Sequence, residues 1–253
     1  MRGDIMDTAL TDKINKLKEM MENSGRIVFL GGAGVSCESG IPDFRSSNGI
    51  FEAIKKYGYP PEELLSHTFF MRKTETFFEY YKELLLSPDA KPNKAHIALS
   101  ELEARGKLTA VITQNIDGLH QMARSKKVYE LHGSIHRNYC MKCHRFFDAE
   151  FVGAANGIPY CPCGGIIKPD VVLYEEQLDS ECLNGALTQV MRADMMIVGG
   201  TSLQVYPAAG LIDYYRGDRL VLINKSATPY DSKADLVINE SIGKVFGEAV
   251  LDG

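Results

Sequence analysis

The sequence of 253 residues lacks long apolar runs, an apolar leader, internal repeats and low-complexity linkers. No apolar run approaches the roughly 20 residues that a helix needs to cross a bilayer. The first seven residues contain no apolar segment of the kind found in a secretory signal. We therefore expect a cytoplasmic protein with no membrane partner.

Positive charge is also scarce. Lys and Arg number 28 against 33 Asp and Glu, which gives a formal net charge of −5. This balance gives no strong signal for nucleic-acid binding, because domains that bind nucleic acids are usually basic. Apolar residues make up 45% of the chain and charged residues 24%, as in an ordinary globular protein with enough chain for a full core.

The 6 cysteines are not a disulfide framework in a chain of this length, and four of them are clustered. Cys140-x2-Cys143 is followed by Cys161-x-Cys163. Four thiolates at such spacing predict a closed, tetrahedral structural zinc site. The second pair is one residue shorter than usual, and His144 beside Cys143 is an alternative ligand.

The most informative stretch is 31–45, which follows an apolar run at 27–30 that predicts a buried strand. Gly32 and Gly34 allow a sharp turn and a close approach to a ligand, and amides at a following helix start can bind pyrophosphate. The dinucleotide-binding fingerprint is incomplete, because Cys37 stands where the third glycine belongs and no acidic residue ends a second strand about 20 residues on. Alone, the stretch is also consistent with a plain strand-to-helix turn.

Short apolar runs alternate with helical segments along the chain, which predicts a parallel sheet with helices on both faces. The expected strands are residues 27–30, 108–113, 128–131, 195–198, 220–223 and 236–238. Polar residues follow most of them directly, at 31–36, 114–117, His132, 199–202 and Asn224. Because ligands bind beyond the carboxyl ends of such strands, we expect these five clusters to converge on one site.

Helices are predicted between the strands. Apolar residues recur at helical spacing between Leu10 and Met21, which predicts an amphipathic helix that packs on the sheet. Asn93 is expected to cap a later helix. Residues 46–90 are rich in aromatic side chains and predict short helices that form an insertion or lid, with the two tyrosines at 80 and 81 in its core.

Taken one at a time, the polar residues also fit ordinary structural roles. A lone histidine is usually structural, but His132 lies at the predicted ligand edge and a histidine titrates near neutral pH, which suits a general base. Asn115 and Asp117 are equally typical of turns and of ribose or carboxamide binding. Thr201 and Ser202 fit either a phosphate or ribose contact or a helix N-cap. Asn224 fits either a ribose contact or a turn.

Together, the motifs resemble the sirtuin family of NAD-dependent protein deacylases, in its bacterial form. The matching segments span about residues 10–250 in the family order, namely Gly32-Ala33-Gly34-Val35-Ser36, Ser39-Gly40-Ile41-Pro42-Asp43-Phe44-Arg45, Thr113-Gln114-Asn115-Ile116-Asp117, Leu131-His132-Gly133, the four cysteines, Gly200-Thr201-Ser202-Leu203 and Asn224. The resemblance implies a Rossmann-like α/β domain formed by 1–45, 88–136 and 168–253. It also implies a small domain made of a helical insertion at 46–87 and a zinc module at 137–167.

The resemblance further implies NAD as a co-substrate, an acyl-lysine protein or peptide as substrate, and one structural Zn²⁺. In this family the acyl oxygen attacks the ribose carbon that carries nicotinamide, and the products are nicotinamide, free lysine and 2′-O-acetyl-ADP-ribose. By resemblance, His132 deprotonates a ribose hydroxyl, while Asn115 and Asp117 position nicotinamide and ribose. Val171 and Val172 resemble the segment that pairs with the substrate backbone by strand addition.

NAD binding is assigned by the same resemblance to a larger set of residues. Asp43 would lie near the carboxamide, Phe44 would shield the reactive face from water, and Arg45 and Ser36 would serve the phosphates and the cofactor loop. The full implied set is Gly32, Ala33, Gly34, Ser36, Asp43, Phe44, Arg45, Gln114, Asn115, Asp117, Gly200, Thr201, Ser202, Asn224, Lys225 and Ile242.

One departure from the family bears on the substrate. Leu173-Tyr174-Glu175-Glu176 replaces the commoner Phe-Gly-Glu type of sequence, so the peptide contacts are expected to differ. No Tyr-x-x-Arg pair in 46–90 would clamp an acidic acyl group, so acetyl is expected, with longer apolar acyl groups as the alternative. Two other functions stay open: an ADP-ribosyltransferase on the same scaffold, and a zinc-ribbon module that senses NAD without turnover. The sequence is silent on oligomeric state.

Overall fold

The structure is a computed structural model that describes residues 2–42, 47–84, 86 and 89–252. Its strands are β1 (Ile27–Gly31), β2 (Leu108–Thr113), β3 (Val128–Glu130), β4 (Gly133–Cys140), β5 (Phe146–Phe147), β6 (Ile167–Val171), β7 (Met195–Gly199), β8 (Leu220–Ile223) and β9 (Leu236–Ile238). Its α-helices are α1 (Arg2–Glu22), α2 (Ser47–Tyr57), α3 (Pro61–Leu64), α4 (His67–Arg72), α5 (Thr74–Leu84), α6 (Lys94–Ala104), α7 (Leu119–Met122), α8 (Ala149–Ala154), α9 (Ser180–Arg192) and α10 (Ile242–Phe246). Short 3-10 helices lie at Ala33–Val35, Cys37–Ser39, Ala208–Tyr214 and Asp231–Lys233. Across the described segments, no helix combines the length and the apolar character that a bilayer crossing requires.

Six parallel strands form the main sheet in the order β3-β2-β1-β7-β8-β9. This is the strand order of a Rossmann-type sheet, which is wound outward in both directions from its two central strands. Every residue of β1 is buried, and alternate side chains enter different cores: Ile27 and Phe29 one, Val28 and Leu30 the other. The apolar runs of the sequence therefore mark strands covered on both faces, and the predicted fold class is confirmed.

Helices fill both faces of this sheet. On one face α1, α6 and α10 pack together, and Ile14 and Leu17 of α1 lie in the core, as the helical spacing predicted. On the other face, Ala186 and Val190 of α9 pack with the 3-10 helix Ala208–Tyr214. Burying a leucine as completely as Leu17 stabilises the fold by about 2 kcal/mol before entropy is subtracted.

A third core joins α2–α5 to a small antiparallel sheet with the order β5-β4-β6. Tyr80 and Tyr81 are fully buried there, which confirms their predicted core position. The insertion is helical as predicted, but the small sheet was not predicted. Its main strand β4 has no regular alternation of buried and exposed residues, because the strand is bulged between Ser134 and Asn138.

The helix expected after the glycine loop is absent from the described residues up to 42, where two 3-10 turns, Ala33–Val35 and Cys37–Ser39, take its place. Gly40 ends the second turn with φ of 83°, a conformation that few residues other than glycine adopt. The Asn93 side chain holds both turns from outside, because its Nδ2 donates to the Val35 carbonyl at 2.7 Å and to Ser39 Oγ at 3.0 Å.

Asn93 also caps α6, since its Oδ1 accepts from the Ala95 amide at 2.9 Å. We therefore predict that Asn93→Ala lowers the free energy of unfolding by about 2 kcal/mol, through loss of a cap and of two further hydrogen bonds. Asp179→Ala, which removes a cap with one bond to the Cys182 amide, serves as the control and should lose about 1 kcal/mol.

Urea denaturation gives both values, and hydrogen exchange tests the local effect. The Ser39 and Gly40 amides, which donate within the two turns, should exchange faster in Asn93→Ala and unchanged in Asp179→Ala. Equal losses of stability with unchanged exchange would show that Asn93 acts only as a cap.

Candidate active site

The register of the main sheet explains why distant parts of the sequence meet. Gly31 at the end of β1 pairs with Thr113 of β2 and with Gly199 of β7. Thr113 in turn pairs with Glu130 of β3, and Gly199 with Ile223 of β8. The segments that follow these residues therefore leave the sheet side by side, as the five polar clusters predicted.

A cavity of about 660 Å³ lies beyond this edge. Part of its wall is apolar and comes from the helical insertion and from β6 and the residues after it, including Ala53, Leu65 and Leu173. The sequence-predicted site residues that line it are Ala33, Ser36, Gln114, Asn115, Asp117, His132, Val171 and Val172. One cavity thus brings together catalytic, cofactor and peptide candidates.

Ser36 connects the loop after β1 with the loop after β2. Its hydroxyl donates to Asp117 Oδ2 at 2.7 Å and accepts from Asn115 Nδ2 at 2.9 Å. The other carboxylate oxygen of Asp117 accepts from the Leu119 amide at 2.9 Å. Asn115 and Asp117 are therefore held in fixed orientations at the cavity wall by a serine that is itself 1% exposed.

His132 lies two residues beyond β3 and is half-buried. Its Nδ1 is 2.9 Å from the Gln114 carbonyl oxygen. A carbonyl can only accept, so Nδ1 carries the hydrogen and the basic lone pair of the neutral ring is on Nε2. Gln114 is fixed in turn, because its Nε2 donates to Thr201 Oγ1 at 3.2 Å.

The candidate peptide segment runs beside His132. β6 ends at Val171, and the Val172 amide donates to the His132 carbonyl at 2.9 Å. Gly133 has φ of 77°, and a Cβ there would lie 1.9 Å from the Asp170 carbonyl oxygen, so only glycine permits this approach. Val171 is therefore the last residue of a strand, and Val172 lies just beyond it.

The glycine loop is packed against the loop after β7. A Cβ on Gly34 would lie 2.8 Å from Cα of Gly200, and a Cβ on Gly32 would lie 2.8 Å from Cβ of Thr201. The Gly34 amide donates to the Gly200 carbonyl at 2.8 Å. Contact between these two loops of the chain therefore requires glycine at both positions, whether or not a ligand binds there.

Among the described residues, the other cofactor candidates do not line the cavity. Ile242 packs beneath the sheet edge, where a Cβ on Gly199 would meet its Cδ1 at 2.1 Å. Ser202 and Lys225 are exposed, and Asn224 Nδ2 donates to the Ser226 carbonyl at 2.8 Å. The predictions for Asp43, Phe44 and Arg45 lie outside the described residues.

The four clustered cysteines form a separate site in the small sheet. Their sulfur atoms all lie within 4.8 Å of one another, with Cys140 and Cys163 at 3.5 Å and Cys143 and Cys161 at 3.6 Å. Tetrahedral zinc with Zn–S bonds of about 2.3 Å requires sulfur separations of about 3.8 Å, so the site fits a structural zinc ion. The short second spacing is accommodated by Gly165, where a Cβ would lie 2.6 Å from Cys140 Sγ.

Sequence reasoning missed a pair of buried histidines below the site. The rings of His96 on α6 and His120 on α7 have centroids 4.7 Å apart, and neither residue is more than 1% exposed. Burial lowers the pKa of His96 to about 4, against a smaller opposing effect of Asp117, and lowers the pKa of His120 to about 3. Both rings are neutral at physiological pH, and only their spacing in three dimensions reveals the pair.

The bulge of β4 was also missed. Two of its three residues contact the loop after β2: the Ile135 amide donates to the Ile116 carbonyl at 3.0 Å, and His136 Nε2 donates to the Asp117 carbonyl at 2.9 Å. Arg137 contacts two carboxylates. Because β4 was not predicted as a strand, the sequence offered no signal for these contacts.

The sheet order and the position of the cavity at its carboxyl edge are those of a Rossmann-like nucleotide-binding protein, here with an added four-thiol module. The Sir2 family model matches residues 32–207. An NAD-dependent protein deacetylase of Clostridium perfringens (strain 13 / Type A) is 62% identical over 243 residues, which are 95% of this chain and 100% of the relative. The chain therefore belongs to the Sir2, or sirtuin, family.

Two solved structures are similar over almost the whole chain. A Sir2 structure with a p53 peptide and NAD⁺ has a TM-score of 0.82 at 37% identity and covers 94% of this chain and 97% of its own. A Sir2 complex with the inhibitor EX-527, 2′-O-acetyl-ADP-ribose and a deacetylated p53 peptide has a TM-score of 0.83 at 37% identity, with coverage of 94% and 98%.

The thiol cluster predicts one zinc ion per chain. Cys163→Ser replaces an exposed ligand and should abolish stoichiometric zinc, whereas Cys182→Ser, outside the cluster, should retain it. If Cys163→Ser lowers the free energy of unfolding by about 3 kcal/mol, its melting temperature should fall by about 6–12 °C in a chain of this size. Elemental analysis and calorimetry measure both effects, and full zinc content in Cys163→Ser would contradict the assignment.

The buried histidine pair predicts loss of stability in acid. The pKa of both rings is lower in the folded state than the 6.5 of an unfolded chain, so below that pH the unfolded state binds more protons. The stability is fully present above about pH 6.5 and is lost as the pH falls toward 4 and then 3. At pH 5 the loss should be about 2 kcal/mol for each ring.

Urea denaturation at pH 7.5 and pH 5.0 measures this loss. Between the two pH values, the free energy of unfolding should fall by about 2 kcal/mol less in His120→Leu than in the wild type, because one titrating ring is gone. His67→Gln, in which an exposed histidine is replaced, should behave as the wild type. An identical pH dependence in all three proteins would rule out the pair as its source.

Proposed function

We propose that this chain is an NAD-dependent protein lysine deacetylase that transfers the acyl group to ADP-ribose and releases nicotinamide and 2′-O-acetyl-ADP-ribose, which is a transferase reaction. The C. perfringens relative bears the deacetylase name. The observation that carries the proposal is the orientation of His132, whose Nδ1 is fixed on the Gln114 carbonyl while its backbone carbonyl accepts from Val172. One residue thus joins a candidate base to the candidate peptide segment.

Asn115 and Asp117 are proposed to hold the nicotinamide and ribose end of NAD. Both line the cavity, and both are oriented through Ser36. The Ser36 hydroxyl is engaged on both sides, so we assign it the positioning of these two side chains. Bound NAD supplies a ribose carbon whose bond to nicotinamide can be broken; the chain holds that bond beside the acyl group.

His132 is proposed as the general base. Its neutral ring holds a basic lone pair on Nε2, which suits removal of a proton from a ribose hydroxyl. The carbonyl of Gln114 keeps this tautomer in place and favours the protonated ring once the proton has been taken. A carbonyl thus performs for His132 the orienting role that a carboxylate performs in other enzymes.

The remaining NAD contacts follow the loops at the sheet edge. Gly32, Ala33, Gly34 and the segment at 200–202 are proposed to receive the phosphates and the adenosine ribose, with Asn224, Lys225 and Ile242 on the far side. Gln114 supports this arrangement through its bond to Thr201. Asp43, Phe44 and Arg45 stay predicted contacts for the carboxamide, the reactive face and the phosphates.

The partner is proposed to be an acyl-lysine protein or peptide that adds a strand beside Val171 and Val172. The similar Sir2 structures contain p53 peptides, which supports a peptide ligand. The apolar part of the cavity near Ala53, Leu65 and Leu173 suits a neutral acyl chain, with acetyl as the first choice.

The domain boundaries are retained as a proposal, with 1–45, 88–136 and 168–253 in the large domain and 46–87 with 137–167 in the small one. Two sheets with separate cores support a division into two domains. The small sheet extends past the proposed limits, because β4 begins at Gly133 and β6 ends at Val171. A cytoplasmic location is proposed because four thiols that bind metal suit a reducing compartment.

The proposal predicts nicotinamide release from NAD only when an acetyl-lysine peptide is present. His132→Ala should lower this activity by at least about 100-fold. His67→Gln, which keeps a side-chain donor toward Glu176, should stay within about twofold of the wild type. Chromatographic assay of nicotinamide gives these rates.

Mass spectrometry of the peptide separates the alternatives. Loss of the acetyl group supports the deacetylase, gain of ADP-ribose supports a transferase that modifies the peptide, and NAD binding without nicotinamide release supports a sensor. Full activity of His132→Ala would refute the role of this residue.

A further inference from the structure

Arg137 lies in the bulge of β4 and bonds two carboxylates that belong to different strands. Its Nη1 donates to Glu130 Oε2 at 2.6 Å, and its Nε donates to Asp170 Oδ2 at 2.7 Å. Glu130 ends β3 of the main sheet, whereas Asp170 lies in β6 of the small sheet. The guanidinium therefore crosses between the two sheets.

Each of the two carboxylates belongs to a residue that lies shortly before a candidate site residue in the sequence. Glu130 stands two residues before His132, and Asp170 stands directly before Val171. The segments that follow them touch, since the Val172 amide donates to the His132 carbonyl at 2.9 Å. Arg137 thus bonds the residues that come just before two segments of the site. Glu130 precedes the segment with the candidate base, and Asp170 precedes the segment that would pair with the peptide.

The bulge is what allows one residue to reach both. Ser134 pairs with Asp170 and Asn138 pairs with Pro169, so three residues of β4 have no counterpart on β6. Arg137 is one of these three, and the bulge turns its side chain toward the end of β3. A planar guanidinium with donors on separate edges suits two acceptors in fixed directions, which a lysine ammonium cannot match.

The ion pairs are local and partly shielded. The Glu130 side chain is 9% exposed, against 39% for Arg137. Burial alone would lower the pKa of Arg137, but the hydrogen bonds that it donates to both carboxylates raise this pKa above its ordinary value. The guanidinium is charged at every physiological pH, so titration of Arg137 does not switch this contact.

We propose that Arg137 is a positioning residue that sets the separation of His132 from the Val171–Val172 segment and thereby the binding of the acyl-lysine peptide. The inference rests on the proposed function. It requires no contact between Arg137 and substrate, and it assigns no role to Arg137 in NAD binding.

The test compares Arg137→Gln, Arg137→Lys and Asp170→Asn with the control Arg105→Gln, which removes the exposed arginine that caps the C-terminus of α6 and pairs with Glu101. Nicotinamide release is measured over a range of acetyl-peptide concentrations at saturating NAD. In Arg137→Gln the KM for peptide should rise about tenfold, since small displacements of a site have effects of this size. The NAD affinity and zinc content of Arg137→Gln should match those of the control. The peptide KM of Arg137→Lys should lie between those of Arg137→Gln and the wild type.

Hydrogen exchange provides a readout that does not depend on activity. Exchange of the Val172 amide should be about tenfold faster in Arg137→Gln than in Arg105→Gln. If Arg137→Gln fails to fold, Asp170→Asn decides the question, because it removes the charge of one acceptor, weakens the bond from Arg137 Nε and leaves Glu130 paired. Its Val172 exchange and peptide KM should rise about threefold.

Two outcomes overturn the inference. The first is a peptide KM and a Val172 exchange rate within twofold of the control in Arg137→Lys and Asp170→Asn, and in Arg137→Gln where it folds. The second is an equal loss of NAD and peptide binding, which would indicate a general structural role. A wild-type protein that releases no nicotinamide would refute the proposed function, while the exchange result would still test the position of Val172.

Discussion

The loop after β1 passes the loop after β7 more closely than any side chain permits. Gly34 and Gly200 make this approach possible, and the hydrogen bond between them fixes it. The position of Ser36 follows from this contact, and Ser36 in turn orients Asn115 and Asp117. Three loops from three strands are therefore arranged by one separation between two backbones. A methyl group at either glycine would displace the centre of the site and leave the sheet intact.

Backbone carbonyls do much of the orienting around the cavity. The Gln114 carbonyl fixes His132, the Asp117 carbonyl accepts from His136, and the His132 carbonyl accepts from Val172. Such partners are set by the path of the chain and do not titrate. The ionisable groups below the site behave in the same way, because His96 and His120 are kept neutral by burial. These carbonyl partners and the two buried rings therefore keep their charge state across the physiological pH range.

Much of the fold could be predicted from the sequence, and the reasons are physical. A strand buried on both faces is apolar throughout, so the central strands β1, β7 and β8 can be recognised in the sequence as apolar runs. Parallel register then brings Ser36, Asn115, Asp117 and His132 to one edge. The small sheet escaped prediction because the bulge breaks its alternation. The 3-10 turns after β1 escaped because Asn93, far away in sequence, holds them. Contacts of single side chains such as Arg137 carry no periodic signal at all.

The third core has a consequence for how such a molecule can diverge. It is built from two segments that are far apart in the chain, the helices α2–α5 and the sheet β5-β4-β6. Phe77 and Tyr81 from the first segment share one apolar interior with Cys140 and Ile167 from the second. Interiors are close-packed, so a change of volume in one segment must be matched in the other. Packing therefore constrains the two segments to change together, and exchange of either alone would leave a mismatched interior beside the cavity.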